Sequence, residues 1–487
     1  MATKSNDPLS SGTRRLSAQL AAGLLVLAAF GLYVYRLDGQ SLWFDEIVQY
    51  HFVFDLDSLP PDLVWIKKHT RHWLYRYGLR LWVRLVPNVF GLRWPSVMAG
   101  TIVVALIYRL GTSLSGRRAG LLAALFLLFL PPQVYFAQEA RQYELVVLGS
   151  LLSLWAMLLL ERGSPRWASW AYGFSVVGTA ALHVLAAFWL ATQSVWVAFR
   201  SKLWTGRIRL VWPLTGMGML AAVAALAATD TGPRLHWLRE PALRQLVGLH
   251  LDFPSPLSEW LKLSLAIAVL GLMGVGMWRL WQQPSTRTRP YSGRAATIML
   301  SMLTFGPPLA AFIISYLWTP IWFWRYFMPS KASFILLLAL ATASLRRRWV
   351  AAVLAGIVLT TSMVGSTQLI ADPDYQRDNW RDVAAYVAAN QQPGDSALVP
   401  EDWLTVALRF YLPDERIEVG SLNGLEAEGE IALRTSLEKS SRVWVVVLER
   451  RREDFAAWRG QVAPEAVQLD FADFGTLDLY LLASSAS

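Results

Sequence analysis

The chain contains no cysteine. Disulfides, thiolate metal sites and a cysteine nucleophile are therefore excluded, and cysteine usage carries no message about redox compartment. Charge is scarce as well: only 16% of the 487 residues are Asp, Glu, Lys or Arg, which argues against a soluble enzyme. The sequence also lacks a convincing internal repeat. What it has instead is apolar, with 54% hydrophobic residues and 24 Trp and a mean hydropathy of +0.35. This is the composition of a polytopic α-helical membrane protein.

The apolar residues fall in long runs. Leu16 to Tyr35 carries no charged side chain, and at about 1.5 Å per residue it can cross a hydrocarbon core of roughly 30 Å. It lacks a small-residue cleavage site and more such runs follow, so it reads as a retained anchor rather than a signal peptide. Further runs extend from Pro95 to Leu110, Ala119 to Tyr135, Tyr143 to Leu160, Trp167 to Phe199, Leu210 to Thr229, Leu261 to Trp278, Ala295 to Trp318, Ser330 to Leu345 and Trp349 to Ile370. The Trp167 to Phe199 run is too long for one crossing and is divided at His183, itself read as an interface residue. That gives about eleven helices.

The expected organisation is a cytoplasmic tail over residues 1–15, a membrane region over 16–370 whose first outer loop is 36–94, and a small extracytoplasmic α/β domain over 371–487. In that domain Asn379 to Gln391 and Asp402 to Tyr411 read as helices, and Ser396 to Val399, Arg442 to Glu449 and Leu477 to Ala483 as strands. The charge run Arg450, Arg451 and Arg452 reads as a solvated face.

The net charge is +10 and the pI about 9.8, which in a soluble chain would suggest nucleic acid. Here the basic residues sit between apolar runs, so the bilayer and its anionic head groups are the expected partners and nucleic acid is not. With the N-terminus in the cytoplasm, Arg14/Arg15, Arg117/Arg118, Arg162/Arg166, Arg200/Lys202/Arg207/Arg209, Arg287/Arg289/Arg294 and Arg346/Arg347/Arg348 all fall inside. The first outer loop breaks the pattern with Lys67, Lys68, Arg71, Arg76, Arg80, Arg84 and Arg93, cations that read as kept for an anionic partner. Within it, Trp73, Tyr77, Leu81 and Leu85 recur every fourth residue beside Arg76, Arg80 and Arg84. That pattern predicts a helix over 72–86 along the outer interface, whose arginines either snorkel to head groups or touch a lipid-linked substrate.

Chemistry points to a few places. In Ser41-Leu42-Trp43-Phe44-Asp45-Glu46-Ile47, two adjacent carboxylates follow the first membrane exit; they read as acids complementing a helix N-terminus or as functional acids. In Tyr135-Phe136-Ala137-Gln138-Glu139-Ala140-Arg141-Gln142-Tyr143-Glu144, charges interrupt apolar segments, and charge at membrane depth marks paired or functional groups. Arg325, Tyr326 and Lys331 follow the aromatic residues Trp318, Trp322, Phe323 and Trp324, either as an interfacial belt or as a phosphate site. His69 and His72 are three residues apart but lack a third metal ligand, so interface hydrogen bonding is the first reading.

Leu42-Trp43-Phe44-Asp45-Glu46, the Gln138-Glu139-Ala140-Arg141-Gln142-Tyr143 stretch and Arg325-Tyr326 resemble the motifs of GT-C glycosyltransferases of family 39. These include protein O-mannosyltransferases, lipid A aminoarabinose transferases and bacterial enzymes that modify envelope glycans. The chain departs from many bacterial members in its first loop, where Lys68-His69-Thr70-Arg71-His72-Trp73-Leu74-Tyr75 replaces a Pro-Pro-Leu-Tyr-like segment. The resemblance implies inverting transfer of a sugar from a polyprenyl-phosphate carrier to a glycan, lipid or protein acceptor outside the cytoplasm, in the bacterial inner membrane. Asp45 is the expected base, with Glu46 orienting the acceptor or holding a cation. Arg141 and Arg325 are expected on the donor phosphate with Tyr326 beside them. Glu139, Tyr143, His69, His72, Arg76, Arg80 and Lys331 are further candidates. No obligatory metal is expected, since arginines can handle one phosphate, although the acidic pair leaves room for a divalent cation. The competing classes are a transporter or flippase of lipid-linked sugars, and a polymerase or ligase using lipid diphosphates.

Overall fold

The computed structural model describes residues 8–55, 73–162, 166–199, 213, 215–216, 238–251, 258–286, 291–412 and 417–484. In chain order its principal helices are α1 (Pro8–Val34), α2 (Phe44–Phe54), α3 (Trp73–Trp82), α4 (Val89–Ser115), α5 (Arg117–Leu128), α6 (Pro131–Ala137), α7 (Tyr143–Glu161), α8 (Trp167–Leu182) and α9 (Ala187–Ala198). They continue with α10 (Leu243–Gly248), α11 (Glu259–Trp281), α12 (Gly293–Leu317), α13 (Met328–Ser344), α14 (Arg348–Ala371), α15 (Trp380–Asn390), α16 (Thr405–Tyr411), α17 (Ala427–Lys439) and α18 (Arg452–Val462). The strands are β1 (Ser396–Val399), β2 (Glu418–Ser421), β3 (Arg442–Leu448), β4 (Ala466–Asp473) and β5 (Leu477–Ser484).

The chain forms two compact units. One holds the described residues within Met1–Tyr35, His72–Tyr75 and Arg93–Ser366, the other those within Arg36–Arg71, Arg76–Leu92 and Thr367–Ser487. The division follows packing rather than chain order, because most of the first loop joins the C-terminal segment.

The first unit is a helix bundle. Among the described residues, 6 helices are long and apolar enough to cross a membrane, or up to 7 if the bent pair α5 and α6 is one span. The sequence count of about eleven is therefore not reached. The apolar parts of α1 and of the 184–198 segment are shorter than a full span, and the run from Leu210 to Thr229 lies outside the described residues. The long run beginning at Trp167 does break at His183, whose extended backbone ends α8 and whose Nδ1 accepts the Leu185 N–H at 3.2 Å. On α11, Trp260, Ile267, Leu270 and Trp278 are exposed; a row of large apolar side chains this long is stable where lipid covers it.

Small residues set a close helix contact. Gly116 turns the chain between α4 and α5 with φ +95, a conformation that costs glycine nothing. A Cβ on Gly111 would then lie 2.9 Å from the Gly120 Cα, so the two backbones touch as small-residue pairs allow in lipid. After α5 the chain bends by 64° into α6, at Pro131 and Pro132, whose missing N–H groups suit a helix start.

The ends of this bundle differ in chemistry. At one end Arg162 donates to the Ser113 carbonyl at 3.4 Å and covers the Tyr291 ring at 5.6 Å, while Gln283 donates to Ser344 at 3.2 Å. These residues close α4, α7 and α13 and open α12, beside the basic turns Arg117/Arg118 and Arg346/Arg347/Arg348. Tyr143 and Tyr326, at the opposite ends of α7 and α13, meet as tilted rings with centroids 6.4 Å apart.

In the second unit the strand order is β2-β1-β3-β5-β4, parallel across β2, β1 and β3 and antiparallel beyond. Val443, Val445 and Val447 pack with Leu433 of α17 and Phe455 of α18, while Trp444, pointing the other way, meets Tyr386 of α15 at 6.2 Å. Period-2 alternation thus covers both faces with helices, an α/β layer arrangement. The predicted β1 span agrees residue for residue, and the expected helices and strands at 379–391, 402–411, 442–449 and 477–483 match to within a residue or by inclusion of a short 3-10 turn.

A buried ion pair ties the sheet to its flank. Asp395 accepts from Arg442 at 3.0 and 2.7 Å and from the Trp444 indole at 2.9 Å. Burial alone would raise its pKa, but the hydrogen bonds from Arg442, the Gln392 N–H and Trp444 outweigh it and hold the carboxyl below its ordinary value. The native state therefore binds fewer protons there than the unfolded one. The pair's contribution is complete above the ordinary Asp pKa and fades as pH falls through the lowered value. Arg442→Ala is expected to cost about 3 kcal/mol, read from denaturant unfolding of the full chain followed by Trp fluorescence, and to flatten the stability loss at acid pH. An unchanged midpoint would contradict this role.

Candidate active site

The acidic pair sits in the first turn of α2. Trp43 is the N-cap, extended and without a side-chain cap, and Asp45 and Glu46 follow within the turn, where carboxylates complement exposed N–H groups and the helix dipole. Successive helical residues point about 100° apart, and the two acids separate accordingly. Glu46 is fully buried, while Asp45 is half-buried, which leaves Asp45 as the acid a hydroxyl can reach.

What holds this helix is its aromatic face against α16 and the 3-10 turn Asp402–Leu404 that leads into it. Phe44 meets Trp403 at 4.6 Å, and Tyr50 and His51 meet Phe410 at 4.9 and 5.6 Å. The Leu42 N–H donates to the Tyr411 hydroxyl at 2.7 Å. Upstream, Arg377 donates to Gln40 at 2.9 Å and Arg381 to the Asp38 and Gly39 carbonyls. The C-terminal domain is therefore the mount of the acid-bearing turn, a relation no local sequence signal carries. His51, whose Nδ1 lies 3.3 Å from an Asp55 carboxylate oxygen, was not singled out by the sequence either.

The basic stripe of α3 divides. Arg76 is buried, with its guanidinium 5.1 Å from the Phe52 ring centre. Arg80 is half-buried and Arg84 exposed. The helix ends at Trp82, short of the expected 86, and residues 83–85 form a turn; on α3 Tyr77 and Leu81 are exposed while Leu79 is buried, so its outward face is apolar, as on an interfacial helix. Arg76 does not snorkel, because its place on the helix faces α2. His69 and His72 lie outside the described residues. Among the described residues no group of three or more His, Asp and Glu side chains could hold a metal ion.

The arginines gather in the helix bundle. The turn between α6 and α7 is fastened by Ser96, which donates to the Glu139 carbonyl at 2.6 Å, and by Gln138, which donates to the Tyr33 and Tyr35 carbonyls at 3.2 and 2.9 Å. Tyr143 then begins α7 as the hub of a cluster. The Arg141 and Arg325 guanidinium carbons lie 5.8 and 6.0 Å from its ring centre. Phe136 packs at 5.1 Å and His183 at 6.1 Å, and His183 meets Tyr326 at 4.8 Å. Arg325 is further fixed over Phe323 at 4.4 Å.

Residues far apart in sequence thus place two guanidiniums on one tyrosine, an arrangement suited to oxyanions. The structure brings together Arg141, Tyr143, Arg325 and Tyr326, with Glu139 fully buried in the turn and Lys331 buried in the first turn of α13. His183 belongs to this cluster although the sequence reading left it at the interface. Deeper in the bundle, Glu144 accepts from Gln133 at 2.9 Å, a pairing that its position in an apolar run did not reveal.

No protein-family model and no curated protein matches the chain. Solved structures do. ArnT from Cupriavidus metallidurans in the apo state aligns at TM-score 0.53 and 13% identity, covering 96% of this chain and 98% of that one. The same protein bound to undecaprenyl phosphate aligns at 0.50 and 14%, covering 94% and 97%. The Archaeoglobus fulgidus oligosaccharyltransferase tethered with an acceptor peptide gives 0.50 and 9%, covering 95% of this chain and 73% of that one. Across nearly its whole length, then, the chain has the fold of the GT-C glycosyltransferases.

Proposed function

We propose that the protein is an inverting glycosyltransferase of the bacterial inner membrane, which moves a sugar from a polyprenyl-phosphate carrier to a hydroxyl of an envelope glycan, lipid or protein outside the cytoplasm. The observation that carries this reading is the pair of guanidiniums on Tyr143. It lies at the end of α7 and α13 away from the basic turns, which the positive-inside rule assigns to the cytoplasm.

The chemistry divides into two tasks. The acceptor oxygen attacks the anomeric carbon opposite the phosphate, the bond from that carbon to the phosphate oxygen breaks with its electron pair leaving on the phosphate, and configuration inverts. A neutral hydroxyl attacks poorly, so Asp45, the more accessible acid of its turn, takes the proton as the new bond forms. Glu46 orients that turn from its buried position. Negative charge grows on the departing phosphate, and Arg141 and Arg325, assisted by Tyr326 and Lys331, stabilise it more in the transition state than in the ground state. A monophosphate leaving group needs no obligatory metal on this scheme, and a divalent cation at the acidic pair is compatible with it.

Purified protein in lipid, given radiolabelled polyprenyl-phosphate sugars and envelope fractions, tests both tasks. Asp45→Asn is expected to lower kcat by about 10²- to 10⁴-fold with donor binding retained; near-normal turnover removes Asp45 as the base. Arg141→Ala and Arg325→Ala are each expected to raise the donor KM about tenfold, the loss of one charge-assisted hydrogen bond. Donor saturation that is unchanged in both variants removes the arginines from the phosphate.

A further inference from the structure

Gln142 lies between Arg141 and Tyr143 and caps the start of α7. Its backbone is employed, since its carbonyl accepts the Val146 N–H at 2.9 Å. Its side chain is fully buried, and neither the amide nitrogen nor the amide oxygen has a protein partner. Exchanging the two atoms changes nothing, because both are idle. Buried primary amides in this state are rare, and packing alone would be served by leucine or methionine.

A second observation falls on the chain segment that Tyr326 joins to Tyr143. In α13, Thr342 and Ser344 return their hydroxyls to carbonyls one turn back, at 2.7 and 2.8 Å. Ser330 and Ser333, near the start of the same helix, are also buried, yet neither hydroxyl has a protein partner, and Ser330 is the one nearer in sequence to Tyr326. Idle polar atoms thus occur in both chain segments that meet at the Tyr143 to Tyr326 contact, those of Gln142 and Ser330 within four residues of one of its two rings.

The chemistry of the idle atoms narrows what would complete them. A prenyl chain offers no hydrogen bond. A phosphate diester accepts but does not donate, so it can satisfy the amide N–H groups and never the amide oxygen. A sugar hydroxyl does both, and neighbouring hydroxyls match the two ends of a primary amide. Resting on the proposed function, we infer that Gln142 reads hydroxyl groups of the transferred sugar and is a specificity-determining residue for the donor, with Ser330 as a secondary contact.

The test compares two lipids on the full chain in nanodiscs: a short-chain polyprenyl phosphate, and the same lipid carrying mannose, galactose or arabinose. The wild type is expected to bind at least one sugar-bearing lipid more tightly than the bare one. Gln142→Leu is expected to weaken that sugar-bearing lipid about tenfold while leaving the bare phosphate within about twofold, with Gln142→Asn between the two, and the melting temperature of each variant reports folding. Equal weakening of both lipids would make Gln142 a positioning residue for the arginines and overturn the inference. So would unchanged binding of both with a higher melting temperature, the result for an amide satisfied only by water. If the wild type binds neither lipid, the glycosyltransferase reading itself fails and this inference falls with it; if it binds the bare lipid and gains nothing from any sugar, only the inference falls.

Discussion

Two like charges share one aromatic ring. Arg141 and Arg325 come from segments nearly two hundred residues apart and both stand within about 6 Å of the Tyr143 ring centre. The ring's negative face attracts cations, so one aromatic side chain can fix the position of both guanidiniums. Much of the bundle can be understood as support for that ring: the bend at Pro131 that separates α5 from α6, the Ser96 and Gln138 hydrogen bonds that fix the turn, and the break at His183 that admits an imidazole beside Tyr326.

The acidic turn is built on a different principle. A short helix exposed to water would hold two neighbouring carboxylates loosely, because its own hydrogen bonds are few. Here aromatic contacts from α16 and the turn before it, with the Arg377 and Arg381 hydrogen bonds, pin the acidic turn and the segment that leads into it. The C-terminal α/β domain thereby acquires a role that its position at the far end of the chain conceals. It is a clamp on the loop that follows the first apolar segment, and its own integrity depends on sheet-flanking pairs such as Asp395 with Arg442 and Asp478 with Arg452.

The sequence made some of this legible and hid the rest for physical reasons. Apolar runs announced the helices of the bundle, and the acids at 45 and 46 stood out because nothing around them is charged. Strand β1 was readable as a short apolar run between turn residues. Strand β4 was not, because both its faces are largely exposed and a register shift between Gln468 and Asp470 interrupts its alternation. Helix α17 is too polar to show a stripe. Arg452 looked like part of a solvated charge run, yet it pairs with Asp473 and Asp478, contacts that exist only once β5 lies beside β3. The joining of Arg141, Tyr143, His183 and Arg325 is likewise a product of helix packing and has no local signature.

The absence of cysteine makes the central claim directly measurable, since Asp45→Cys would carry the chain's single thiol. The claim is that Asp45 works on the non-cytoplasmic side, where the donor lipid is bound. In spheroplasts treated with a membrane-impermeant maleimide, the thiol at position 45 is predicted to label without permeabilisation and more slowly when polyprenyl phosphate is supplied, while Arg347→Cys labels only after permeabilisation. Labelling of position 45 only after the membrane is opened would contradict the account.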